Sequence, residues 1–174
     1  MKSLYVVGTG GSGKTALCLA LALKFADEGR RVAYFKPVGN VGGPLGRQDE
    51  DAVLMKGLLE MSAPVEQIAP LTTSPTYLAR YERTPDCIAR IKESFAKVSE
   101  GVDLVIIEGT TSPEMMFSLG LDAVSIAREL GSDVLTMAKL EDDYGLDRLL
   151  LFNSYLMAAG VNLLGTVFNN IPTP

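Results

Sequence analysis

Between residues 4 and 28 the chain passes from a short unbroken apolar run, Leu4 to Val7, through Gly8-Thr9-Gly10-Gly11-Ser12-Gly13-Lys14-Thr15 and into a segment of helical composition. Of all features in the sequence, this order constrains the fold most. A strand-length run with no polar alternation reads as a strand buried on both faces. From Lys14 to Glu28 the apolar residues lie almost all round, through Ala16-Leu17-Cys18-Leu19-Ala20-Leu21-Ala22-Leu23, which predicts a helix packed between layers and closed by Gly29.

The same alternation continues. Arg31 to Phe35 reads as a strand halted by Lys36-Pro37, and Asp51 to Met61 as a helix closed off by Pro64. Pro64 to Pro85 holds four of the nine prolines and the run Thr72-Thr73-Ser74-Pro75-Thr76, and reads as a surface excursion long enough to carry function. Asp86 to Val98 is a helix with Ile88, Ile91, Phe95 and Val98 on one stripe. Then follow a strand from Asp103 to Ile107, a helix from Asp122 to Leu130 and a strand from Asp133 to Met137. A helix from Tyr144 to Ala159, closed by Gly160, and a strand from Leu163 to Phe168 complete the pattern. Strands joined by helical crossovers must pair in parallel, so the expected class is α/β: three layers, a parallel sheet with helices on both faces. With neither repeat nor linker, residues 1–174 are expected to form a single domain.

Composition removes whole classes of chemistry. At 47% hydrophobic and 21% charged residues the chain is globular. It contains no histidine, which excludes a Ser-His-Asp or Cys-His nucleophile and any imidazole-bound metal. A metal here must be held by oxygen, which favours Mg²⁺. A net charge of −5 argues against a nucleic-acid partner. Cys18 and Cys87 form no CxxC pair, as expected of a reduced, cytoplasmic protein. Neither a signal peptide nor an apolar stretch of about 18 residues is present, so no membrane association is expected.

Gly8 to Thr15 satisfies GxxxxGK[ST] in the strand-to-helix context that motif requires, which makes the expected architecture a P-loop NTPase fold. Backbone N–H groups of Gly10, Gly11, Ser12, Gly13, Lys14, Thr15 and Ala16 would cradle the phosphates of a nucleotide. Lys14 would neutralise their charge, and the Thr15 hydroxyl would bind Mg²⁺. Glu108 ends the most apolar strand and is placed to supply a carboxylate to that ion; Asp49-Glu50-Asp51 offers three candidates for a second, each also suited to capping a helix. Lys36, held by the rigid turn at Pro37, can reach a phosphate or a substrate carboxylate. Asn169 and Asn170 follow the last strand, where an amide suits an adenine edge and equally suits a turn before Pro172.

At these residues the chain resembles the dethiobiotin synthetase-like branch of P-loop proteins, which includes the amino-terminal domains of cobyrinic acid a,c-diamide synthases. The matching pieces are the phosphate loop, Tyr34-Phe35-Lys36-Pro37-Val38, Asp51-Ala52, Thr73-Ser74-Pro75, Asp103-Leu104-Val105-Ile106-Ile107-Glu108-Gly109 and Phe168-Asn169-Asn170-Ile171-Pro172. The resemblance implies Thr15, Asp51 and Glu108 as Mg²⁺ ligands, which singles out Asp51 among the three acids. It also implies Lys14 and Lys36 as catalytic lysines and Asn169 as the adenine reader. The implied activity is that of an ATP-dependent ligase or synthetase, phosphorylating a small carboxylate, commonly across a homodimer. Two loops depart from the family: Thr9-Gly10-Gly11-Ser12 is one residue shorter than in dethiobiotin synthetase, and Thr110-Thr111-Ser112-Pro113 replaces a glycine-rich segment after Glu108. In this and in Asp49-Glu50-Asp51-Ala52 the chain is more similar to the dethiobiotin synthetase-like domain of phosphotransacetylase-type proteins. That likeness implies a nucleotide-sensing module at the amino terminus of a longer protein, acting on a carboxyl-terminal partner domain.

Overall fold

The computed structural model describes residues 1–40, 48–74, 76–79, 81 and 84–171. In chain order the elements are β1 (Lys2–Gly8), α1 (Lys14–Asp27), β2 (Val32–Phe35), β3 (Val38–Asn40), α2 (Glu50–Leu58), α3 (Val65–Ile68), β4 (Leu71–Thr73), α4 (Thr84–Val98), β5 (Leu104–Glu108), α5 (Ala123–Leu130), β6 (Asp133–Lys139), α6 (Asp143–Ala158) and β7 (Leu163–Asn169). Five strands pair in parallel in the order β2-β5-β1-β6-β7, and β3 pairs with β4 in a small parallel ladder of its own. The unbroken apolar runs are the buried ones: Val6 in β1 and Val105, Ile106 and Ile107 in β5 are fully enclosed.

The chain leaves β1 toward β2 in one direction across the sheet and then steps the other way, through β5, to β6 and β7. Right-handed crossovers therefore place α1 on one face and α4, α5 and α6 on the other. Connections from the adjacent strands β1 and β5 leave toward opposite faces, and such a point opens a crevice at the carboxyl ends of the strands. The fold is the expected three-layer α/β architecture.

Two expectations need correction. The helix α1 is not enclosed between layers: Cys18 and Ala22 are buried, but Ala16 and Ala20 face outward and Leu23 is 46% exposed. Alanines leave no polar stripe to mark an outer face, so the pattern overstated the burial. Nor is the first part of the stretch from Pro64, up to Thr73, a surface excursion, although Thr76, Leu78 and Ala79 beyond it are exposed. Ile68 and Leu71 are buried, the Ile68 carbonyl accepts the Lys36 N–H at 2.8 Å, and the Leu71 N–H donates to the Pro37 carbonyl at 3.3 Å. Strands of three residues flanked by Pro37 and Pro70 are too short to show a period. Pro75 and Pro172, on which the resemblance also drew, lie outside the described residues.

Candidate functional site

The site is built from the carboxyl end of the sheet. Gly8 closes β1 beside Met137, and the phosphate loop turns back into α1, where the Leu17 N–H donates to the Gly13 carbonyl at 3.0 Å. Gly13 has φ of 98°, and a Cβ there would stand 2.9 Å from the Asn169 amide nitrogen, so glycine is required twice over. The side chain of Lys14 is buried and folds back along the loop, donating from Nζ to the Thr9 carbonyl at 2.8 Å. Burial lowers its pKa; Lys36 nearby adds to that, and Glu108 opposes it.

Glu108 is 3% exposed and takes one hydrogen bond on each oxygen. The Thr15 hydroxyl donates to Oε1 and the Tyr34 hydroxyl to Oε2, both at 2.8 Å. Burial pushes the carboxyl pKa up and Asp51 adds to it, while Lys36, Tyr34 and Thr15 hold it partway down. Lys36 is 1% exposed, and its ammonium meets three acids: it donates to Asp51 Oδ2, lies 3.1 Å from Asp49 Oδ2 and 3.7 Å from Glu108 Oε1. Burial works against that ammonium, but Glu108, Asp49 and Asp51 outweigh it and leave its pKa above the ordinary value. Asp51 is only half-buried, but removing one of the buried members, Lys36, Asp49 or Glu108, costs on the order of 3–5 kcal/mol, because the remaining charges lose their partner.

Of the expected residues, the structure gathers Lys14, Thr15, Lys36, Asp51 and Glu108 in one cluster. Gly10, Gly11, Ser12, Gly13 and Ala16 surround it in the loop and the first turn of α1. Asn169 lies against the loop: its Nδ2 donates to the Ser12 carbonyl at 2.9 Å, and its Oδ1 accepts the Asn170 N–H at 3.0 Å. Both ends of that amide are engaged, so it ties β7 to the phosphate loop. Among the described residues the buried Ser12 hydroxyl finds no hydrogen-bond partner, and a phosphate oxygen in the loop would satisfy it.

Sequence reasoning missed Tyr34 as a site residue and passed over Asp49 in favour of Asp51. Tyr34 and Lys36 alternate on one face of the chain leaving β2, and that period-2 relation was the available signal. Glu50 is exposed and stands apart. Among the described residues no group of three or more acids converges as a metal cage. Two carboxylates that already meet the Lys36 cation, and a hydroxyl bonded to one of them, do fit a hard ion that draws its remaining ligands from water and phosphate. Beside the loop, bordered by Gly8 and Thr9, lies a largely apolar cavity of about 560 Å³ between the segment carrying Pro113 and Phe117 and the inner side of α6 at Leu149 and Phe152.

The chain is 31% identical over 113 residues to the ATP-dependent dethiobiotin synthetase BioD 2 of Escherichia coli K12, an alignment covering 63% of this chain and 49% of that protein. It is 30% identical over 135 residues to the cobyric acid synthase of Brucella anthropi, covering 64% of this chain and 28% of the other. The chain thus spans about half the length of the dethiobiotin synthetase it matches. In fold it is similar to the chimerical protein CapA2B2, with a TM-score of 0.63 at 17% identity over 99% of this chain and 77% of that one. No helix among the described residues is long and apolar enough to cross a membrane. Residues 2–174 match one family model along their whole length, and the chain belongs to that P-loop family, AAA_26, described as an AAA domain.

Proposed function

We propose that this domain binds ATP with Mg²⁺ and uses it to phosphorylate a small carboxylate, in the manner of an ATP-dependent ligase. The observation that carries the reading is the convergence of two buried lysines, Lys14 and Lys36, with Thr15, Asp51 and Glu108 at the mouth of the phosphate loop. Thr15, Asp51 and Glu108 would hold the ion, which when bound supplies charge neutralisation between phosphate oxygens. Lys14 would leave the Thr9 carbonyl for the phosphates. Lys36 would orient a substrate carboxylate oxygen for attack on the γ-phosphorus, as the bond to the β-phosphate oxygen breaks and ADP leaves with the electron pair. Catalysis of this type needs positioning and charge stabilisation and no histidine. The cavity beside Thr9 offers room for the rest of a substrate. The relationship to a dethiobiotin synthetase supports the reading.

A second reading, a nucleotide-sensing module without synthetase chemistry, is favoured by the loop after Glu108. There the Thr110 hydroxyl donates to the Ser112 carbonyl at 2.7 Å, spending on its own loop a group that could face a substrate. Calorimetric titration with ATP, with and without Mg²⁺, on the wild type and Lys14→Ala tests the common part: Mg²⁺-dependent binding lost in the variant is expected, and absence of binding by the wild type sinks both readings. ADP release dependent on an added carboxylate decides for the enzyme.

A further inference from the structure

Asp49 is assigned no part in the reading above, yet it is 2% exposed and the most firmly held acid of the cluster. Its Oδ1 accepts the Ala52 N–H at 2.8 Å and so caps α2, while Oδ2 accepts the Asn40 N–H at 2.7 Å. A Cβ on Gly39 would stand 2.8 Å from the Asp49 Cβ, so the side chain lies directly against the backbone of β3. Two backbone donors from separate elements therefore fix this carboxylate, and its Oδ2 also faces the Lys36 ammonium at 3.1 Å. The ammonium's other two partners, Asp51 and Glu108, are the acids proposed to bind the divalent ion.

That division poses a problem of charge. When Asp51 and Glu108 turn to a metal, a buried lysine with no other partner would be stranded, at high cost. We propose that Asp49 is the dedicated counter-ion of Lys36, a positioning residue that lets the lysine release Asp51 and Glu108 to a divalent cation. Without Asp49, Lys36 competes with the metal for those two carboxylates. Asp49 itself, with both oxygens committed to backbone donors and Lys36, is not a ligand. The inference rests on the proposed metal set.

The test is a double-mutant cycle read by Mn²⁺ binding, followed through its electron paramagnetic resonance signal at fixed ADP. The chains are the wild type, Asp49→Asn, Lys36→Met and the double variant. Asparagine still caps α2 but offers Lys36 no charge; Asp49→Ser, which also keeps a cap, repeats the measurement if Asp49→Asn does not melt cooperatively. In the wild-type background the loss of Asp49 is expected to weaken Mn²⁺ binding about tenfold, and in the Lys36→Met background less than about twofold. A purely structural role, or a charge acting through space on the ion, would produce equal losses in both backgrounds and overturn the proposal, as would no loss in either. Failure of the wild type to bind Mn²⁺ would remove the metal reading itself, and the proposal with it.

Discussion

Replacing Tyr34 by phenylalanine isolates one hydrogen bond. The ring is fully enclosed, and phenylalanine keeps its packing; only the hydroxyl that donates to Glu108 Oε2 at 2.8 Å is removed. Thr15 still serves Oε1 and Lys36 remains 3.7 Å away, so Glu108 is weakened as an acceptor site and not stranded. A hydrogen bond to a charged group contributes about 1.5–3 kcal/mol, and no solvent-facing route replaces this one. Tyr34→Phe is therefore expected to lose about that much stability, with an unchanged urea m-value. At roughly 2–4 °C per kcal/mol for a chain of this size, the melting temperature falls by about 3–12 °C. The control is Tyr144→Phe, at a position 69% exposed, where a change within about 0.5 kcal/mol is expected. If Tyr34→Phe behaves like that control, Tyr34 is not the partner of a buried carboxylate and the account of Glu108 fails.

Other consequences follow from the same geometry. Cys18 and Cys87 are buried free thiols whose pKa values burial pushes up, so neither should react with a disulfide reagent in the native chain and both should react in guanidinium; a fast native reaction would contradict the packing. Asp103, hydrogen-bonded by the Arg31 side chain and backbone, has its pKa lowered to about 2. Its folded value lies below its ordinary 3.8, so the stability it contributes is present above that pH and is lost as pH falls toward about 2. A carboxyl carbon titration with its midpoint near the ordinary value would refute the pairing. Asp122 is buried and caps α5, accepting from Val124 N at 3.0 Å and Ser125 N at 3.2 Å. Asp122→Ala should cost about 1–2 kcal/mol in urea unfolding, and a loss under about 0.3 kcal/mol would show the cap to be idle.

The parts of this fold that could be read from residue order are those whose signal is local. The phosphate loop carries its own strand and helix, and Ile91, Phe95 and Val98 repeat at helical spacing and prove to be buried. Glu108 could be singled out because an acid directly after Leu104-Val105-Ile106-Ile107 has to lie at a strand end. What was not legible depends on pairs distant in sequence. Among Asp49, Glu50 and Asp51 no local rule chooses; the choice is made by Lys36 and by the Asn40 backbone, both brought close only once β2 and β3 are in place. Tyr34 reads as one more apolar strand residue until its hydroxyl is seen against an acid from β5. The strands β3 and β4, three residues each, are held by their ladder to one another and by Pro37 and Ile68 carbonyls, with no periodicity of their own.

Strand order decides why these residues can act together at all. Because β5 lies between β2 and β1, Glu108 stands with Thr15, which follows the β1 loop, on one side and Tyr34, within β2, and Lys36, just after it, on the other. Neighbouring strands are about 4.8 Å apart, a span that one glutamate side chain can bridge in both directions. Were β2 next to β1, with β5 outside it, Glu108 would be about 10 Å from β1, and no single carboxylate could join the Thr15 hydroxyl to the lysine. As parallel neighbours β2 and β5 must be joined by a crossover, and that connection is the stretch that supplies Asp49, Asp51 and the β3–β4 ladder beside Lys36. The crossover that sets the sheet order thus also carries the acids that make a buried lysine tolerable beside the phosphate loop.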